Sequence, residues 1–123
     1  MPRPEDIKAL QGRFKRFGLA IIRMTEKLPN CRAANLISNQ IIRSGTSPGA
    51  NYRAACRSRS NAEFVAKLGI VEEELDETLY WLELLTEGGF LPAAEAESLS
   101  KEGNELLGIT ISSIRTAKRS GSR

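Results

Sequence analysis

Histidine is absent from this chain of 123 residues. The commonest general base and the commonest metal ligand go with it. So do the Glu-x-x-His pairs through which di-iron bundles hold their metals. Cysteine is scarce: Cys31 and Cys56 stand far apart with no third thiol. Neither a four-ligand zinc site nor a C-x-x-C redox pair can be assembled from them within one chain. Both read as small, reduced, half-buried side chains, and no metal or cofactor is expected. Long apolar runs are also missing, none approaching the roughly 20 residues that span a bilayer. The opening stretch MPRPEDIKAL is charged and lacks a signal-peptide apolar segment. The expectation is one soluble, cytoplasmic domain over 1–123, large enough for a single modest core.

What is present is helical periodicity. Ile7, Leu10, Phe14, Phe17, Ile21, Met24 and Leu28 alternate spacings of three and four, which predicts a helix over about 4–28. Ser60 and Glu63 form a capping box ahead of Phe64, Leu68, Val71, Leu75, Thr78, Leu82 and Leu85, and Gly88–Gly89 stops that run. This gives a helix over 60–87. Pro92 suits the first turn of another over 92–119, with Ala96, Leu99, Gly103, Leu106, Thr110, Ile114 and Ala117 on its seam and a flexible basic tail at 119–123. Between 32 and 57, Ala34, Ile37, Ile41, Ser44, Pro48 and Ala55 keep the same phase across the turn-formers SGTSPG. A loop has no reason to preserve phase. One helix is therefore expected there, kinked or briefly interrupted at 45–48, with Thr46 or Ser47 capping a restarted half. The fold class is all-α, an antiparallel up-down-up-down four-helix bundle with its second helix kinked near Pro48.

Charge is divided unevenly. Residues 1–59 hold 12 Lys/Arg against 3 Asp/Glu, and residues 60–114 hold 2 against 12, within a net charge of only +3. The acidic run Glu72, Glu73, Glu74, Asp76 and Glu77 spreads around its helix, so structural pairing is favoured over catalysis, with Arg53 or Arg57 as partners for Glu74 and Glu77. The glycines of SGTSPG lack the preceding strand and the lysine of a P-loop, so nucleotide binding is not expected. The basic residues Arg13, Lys15, Arg16, Arg23, Arg53, Arg57, Arg59, Arg115, Lys118 and Arg119 form a candidate surface for phosphate backbones. No aromatics are interleaved with them, so single-strand stacking is not signalled. Off the core seam, Ile70, Tyr80, Trp81 and Leu84, with Leu19 at the outermost position of the first helix, suggest a subunit interface.

The most distinctive stretch is Gly45-Thr46-Ser47, then Gly49-Ala50-Asn51-Tyr52-Arg53, Arg57, Arg59-Ser60, Glu63-Phe64, Lys67-Leu68 and Asp76-Glu77 with Tyr80-Trp81-Leu82. It resembles the four-helix-bundle family named for proteins encoded in intervening sequences of 23S rRNA genes, to which accessory proteins of diversity-generating retroelements are related. The resemblance implies a ring-like homopentamer without enzymatic chemistry, associated with ribosomal RNA or a ribonucleoprotein. Pro48 departs from the valine or small apolar residue usual in relatives, and Ala54 from an acidic one. Two functional readings stand side by side: an oligomer that binds structured RNA through basic patches, and a homo-oligomeric protein-interaction scaffold without a nucleic-acid role. Charge reversal at Arg13 and Arg16 would separate them. No membrane and no small-molecule substrate are expected as partners.

Overall fold

A computed structural model describes residues 3–121, and among these it contains four helices and no strand. They are α1 (Pro4–Thr25), α2 (Arg32–Ala55), α3 (Asn61–Glu87) and α4 (Ala93–Gly121). Neighbours in the chain pack side by side, and α4 closes back on α1. Cross-contacts fix every pair as antiparallel. Phe14 of α1 faces Gly49 of α2, whereas the later Ile21 faces the earlier Gly45. Ser44 of α2 meets Thr78 of α3, and Asn61 at the start of α3 meets Ala117 near the end of α4.

The helix ends follow local chemistry. α1 stops at Thr25 instead of running to residue 28, and Leu28 closes only a tight turn onto the Thr25 carbonyl. Pro29 disfavours helical backbone at the residue before it. Leu28 still packs against the core. At α3, Ser60 Oγ accepts from the Glu63 amide at 3.1 Å, as the capping box predicts. After Glu87 the chain turns through Gly89 at φ 79°, a left-handed conformation that glycine adopts without strain, and the Phe90 amide returns to the Leu85 carbonyl. α4 outlasts its expected end at 119. Asn61 Nδ2 donates to the Ala117 carbonyl at 2.8 Å, satisfying one of the last carbonyls. Arg119 and Gly121 are thus helical, and Ser122 and Arg123 of the anticipated tail lie outside the described residues.

The SGTSPG segment is where expectation and structure differ in detail. α2 runs through 45–48 without interruption, and Pro48 sits inside the helix with its side chain buried. Thr46 does not cap a restarted half; its Oγ1 donates to the Ile42 carbonyl at 2.7 Å. The small residues serve the packing. A Cβ on Gly45 would lie 3.0 Å from both Cγ1 and Cγ2 of Ile21, so glycine lets α1 and α2 approach closely.

The core is one cluster: Phe14, Phe17, Ile21 and Met24 from α1, Ile41 and Tyr52 from α2, Leu68, Val71, Leu75 and Leu82 from α3, and Leu99 and Leu106 from α4. Phe14 stacks on Tyr52 with ring centroids 5.1 Å apart. One polar contact lies inside it. Thr78 Oγ1 is 2.8 Å from the Glu74 carbonyl and 2.9 Å from Ser44 Oγ, so Thr78 gives its proton to the backbone and accepts from Ser44. Both hydroxyls are fully buried, and leaving either unmatched would cost about 1–3 kcal/mol.

Candidate functional site

The structure separates the ten basic candidates into groups. Arg13 is not part of an open cationic face. Its guanidinium makes a two-pronged contact with Glu102 of α4, Nη2 to Oε1 at 2.6 Å and Nε to Oε2 at 3.1 Å. Lys118 is already engaged within the chain. Lys15, Arg53 and Arg57, together with Lys8, surround a groove between α1 and α2 of about 700 Å³. Its apolar wall is Leu19, Ile22 and the edge of Phe14, and its floor is flattened by Gly18 and Gly49. Arg59, Arg115 and Arg119 are exposed at the end of the bundle where α2 and α4 finish and α3 begins. Arg16 and Arg23 are exposed on α1, with the Arg16 guanidinium folded back over Gly12. Among the described residues Arg13 has a carboxylate partner and Lys118 is engaged, whereas none of the other eight cations has a carboxylate partner.

The partner of Glu74 and Glu77 is neither Arg53 nor Arg57. It is Arg43, whose Nη1 lies 2.8 Å from Glu74 Oε2 and whose Nη2 bonds Glu77. The antiparallel register supplies the reason. The α2–α3 turn is centred near residue 58, so positions on α2 and α3 meet as mirror images about it, which brings 43 opposite 74–77 and leaves 53 and 57 opposite the first turns of α3. Glu77 also accepts from the Trp81 indole Nε1 at 2.9 Å. That indole bond, helped by Arg43 and opposed by burial, holds the Glu77 carboxyl below its ordinary value of 4.5. A depressed carboxyl pKa stabilises the fold above the unfolded value and loses that contribution as pH falls through the folded value. Glu77→Gln should therefore lower the urea midpoint relative to the parent at pH 7. The gap should close below about pH 4, under the ordinary carboxylate range.

The apolar candidates also divide. Ile70, Tyr80 and Leu84 are exposed on the outer side of α3, at 38%, 53% and 37%. Trp81 beside them is half-buried and packs against the core, its ring edge-on to Tyr80 at 5.5 Å. Leu19 is exposed on another side of the bundle. It lines the groove between α1 and α2, and α1 makes no packing contact with α3. Sequence reading missed Leu36, which is 62% exposed. It lies two turns before Arg43 on the same face of α2, so register places it level with Leu84. Its phase off the core seam was the available signal.

Among the described residues no three His, Cys, Asp or Glu side chains converge to hold a metal ion. Burial, with a hydrogen bond to Cys56, pushes the Tyr52 phenol well above its usual range, so it stays protonated. Cys56 therefore has no base in that neighbour. No helix of the described residues is long and apolar enough to cross a membrane.

Comparison with known proteins agrees with this architecture. No curated protein matches the chain. It is similar in structure to a protein of unknown function from the S23 ribosomal protein family of Bacteroides thetaiotaomicron. The TM-score is 0.80 and the identity 36%, covering 85% of this chain and 97% of that one. The family model described as 23S rRNA-intervening sequence protein matches residues 6–112. With so much of its length matched, the chain belongs to the 23S rRNA-intervening sequence protein family.

Proposed function

We propose that this protein is a non-enzymatic, self-assembling bundle that associates with structured RNA through the basic end of the molecule. The observation that carries the reading is the unequal use of cations. Arg13, Lys27 and Arg43 are held by Glu102, Glu95 and the Glu74–Glu77 pair, whereas Arg59, Arg115 and Arg119 extend into solvent at one end with no carboxylate partner among the described residues. Such side chains bind phosphates by releasing condensed counterions, a sequence-independent and salt-sensitive interaction. Phe64, the aromatic of α3 at this end, packs against the core, and Tyr80 and Trp81 lie farther along α3, so no exposed aromatic is interleaved with these arginines for base stacking. Paired or folded RNA is the matching partner. The exposed Ile70, Tyr80 and Leu84 support self-assembly, which would repeat a weak basic patch and raise its avidity.

The test is filter binding of a 23S rRNA fragment over a salt series. Arg115→Glu combined with Arg119→Glu should weaken binding at every salt concentration and flatten the log–log slope by about 2, one for each lost phosphate contact. Full retention by that variant would refute the RNA reading. The reversal at Arg13 no longer serves, because a glutamate there would face Glu102 and Glu105 and disturb the bundle itself.

A scaffold without a nucleic-acid role is the second reading. It is favoured by the number of arginines already consumed in helix pairing and by a net charge of only +3. The same double variant separates the two, since a scaffold is indifferent to it.

A further inference from the structure

We propose that the groove between α1 and α2 is a binding site for a fatty carboxylate, a single-chain amphiphile whose anionic head lies at one end of the groove and whose tail lies along the other. The site is independent of both RNA binding and self-assembly.

The antiparallel register sorts the lining of the groove lengthwise. Phe14 faces Gly49, and Gly18 faces Gly45 and Thr46, so residues early in α1 lie level with residues late in α2. Lys8 therefore shares one end with Arg53 and Arg57, whereas Leu19 and Ile22 share the other with Thr46, and Lys15 lies between. The hydroxyl at the apolar end is turned away. Thr46 Oγ1 donates to the Ile42 carbonyl at 2.7 Å, and its methyl Cγ2 stands beside Gly18, where an added Cβ would meet it at 3.6 Å. Leu19 is left 41% exposed there. At the cationic end Arg53 and Arg57 are one turn apart on α2 and, like Lys8, have no carboxylate partner among the described residues. Uncompensated positive charge thus sits at one end and wetted hydrocarbon at the other.

Shape and charge pattern together select the occupant. From Lys8 to Ile22 the groove runs about 20 Å along α1, at about 1.5 Å of rise per residue. A volume of about 700 Å³ drawn out over that length is a trough narrower than a helix, which is about 10–12 Å thick with its side chains. An extended acyl chain enters such a trough, and Gly49 and Ala50 keep the middle of it clear. A phosphate backbone carries charge at regular intervals and has no use for the apolar half. An amphipathic helix sorts its polar and apolar residues side to side, not end to end. A head-and-tail molecule matches the lengthwise separation, pairing its charge at one end while burying hydrocarbon at the other. The head is a carboxylate because guanidinium forks match its planar pair of oxygens, and two of them stand one turn apart.

The experiment is isothermal titration calorimetry of the full chain, in whatever assembly it forms, with sodium dodecanoate held below its micelle concentration. One molecule should bind per chain. Decanoate and octanoate should bind more weakly, by up to about fourfold for each methylene removed, the value of a buried methylene. Dodecyltrimethylammonium, the same tail under a cationic head, should not bind. Arg53→Gln with Arg57→Gln should weaken dodecanoate at least about tenfold, as the loss of charge-assisted hydrogen bonds requires, and leave the chain-length steps in place. Leu19→Ser should do the reverse, keeping the discrimination between heads and shrinking the steps. All three side chains are exposed, so both variants should keep the parental circular dichroism. No heat of dodecanoate binding, uptake of several molecules per chain, equal binding of the ammonium, or undiminished affinity in the arginine variant would each overturn the site. So would capture by phosphatidylglycerol vesicles with no binding of free dodecanoate, which would make the groove a membrane-surface contact. If the parent ignores dodecanoate and the arginine variant loses rRNA on filters, the groove cations serve phosphate backbones and the proposal falls.

Discussion

Phe17→Ala should destabilise the fold by about 3–5 kcal/mol, the cost of emptying a buried phenylalanine site. Against the roughly 5–15 kcal/mol that holds a domain of this kind together, that leaves a marginal protein. The ring is 2% exposed and reaches across from α1 to α4, where a Cβ added at Gly103 would lie only 3.3 Å from Phe17 Cζ. Gly103 has no side chain to swing into the vacated space, and Leu79 on its other side is held by the α3–α4 contact. Collapse around the cavity is therefore restricted, which places the cost towards the upper part of the range. Urea unfolding followed by circular dichroism measures it, and Phe17→Leu should recover most of the loss. A loss under about 1 kcal/mol would mean that α1 is not docked as described, since removing even one or two buried methylenes costs that much.

Gly45→Val should be the most damaging addition of volume, at about 1–3 kcal/mol or more. Glycine is a poor helix former, so the substitution gains up to about 1 kcal/mol in propensity before packing is considered. Packing reverses the sign. The new Cβ would already stand 3.0 Å from two carbons of Ile21, and valine adds two further carbons in the same crevice. α1 and α2 must move apart, and the Phe14–Tyr52 stack across the same interface would loosen with them. Ile21→Ala should be destabilising in the parent and partly compensating in the Gly45→Val background. A double-mutant cycle should thus show coupling above about 0.5 kcal/mol, whereas independent sites would simply add.

Much of the bundle was legible because its signals are local. Phe14, Phe17, Ile21 and Met24 repeat at three and four, Ser60 and Glu63 cap one another, and Gly88–Gly89 ends a helix whatever lies across from it. Phase continuity through Pro48 carried the second helix over a segment whose composition suggests a loop. What local pattern does not contain is which side chain stands opposite which. Arg43 and Arg53 look alike from α2 alone, and only the antiparallel register sends the first to Glu74 and Glu77. Arg13 similarly looked like one more outward cation until α4 placed Glu102 against it. Leu19 lines the groove between α1 and α2, a placement that its outermost position on α1 does not give by itself. The candidate surfaces were readable as lists of residue types, and their division into spent and unspent groups was not.

Among the described residues the seam between α1 and α4 is the only packed one without a covalent turn, and it is also where the helices touch least. Arg13–Glu102 and Lys27–Glu95 bridge it near the surface. Exposed pairs of this kind contribute up to about 1 kcal/mol each, and they weaken as added salt shrinks the Debye length from about 10 Å at 0.1 M to about 3 Å at 1 M. A concentrated electrolyte therefore acts on this molecule unevenly. It weakens the Arg43 pairs of the α2–α3 hairpin as well, but hydrocarbon and two buried hydroxyls still seal that hairpin, so the first helix becomes the edge along which the barrel of rods unzips.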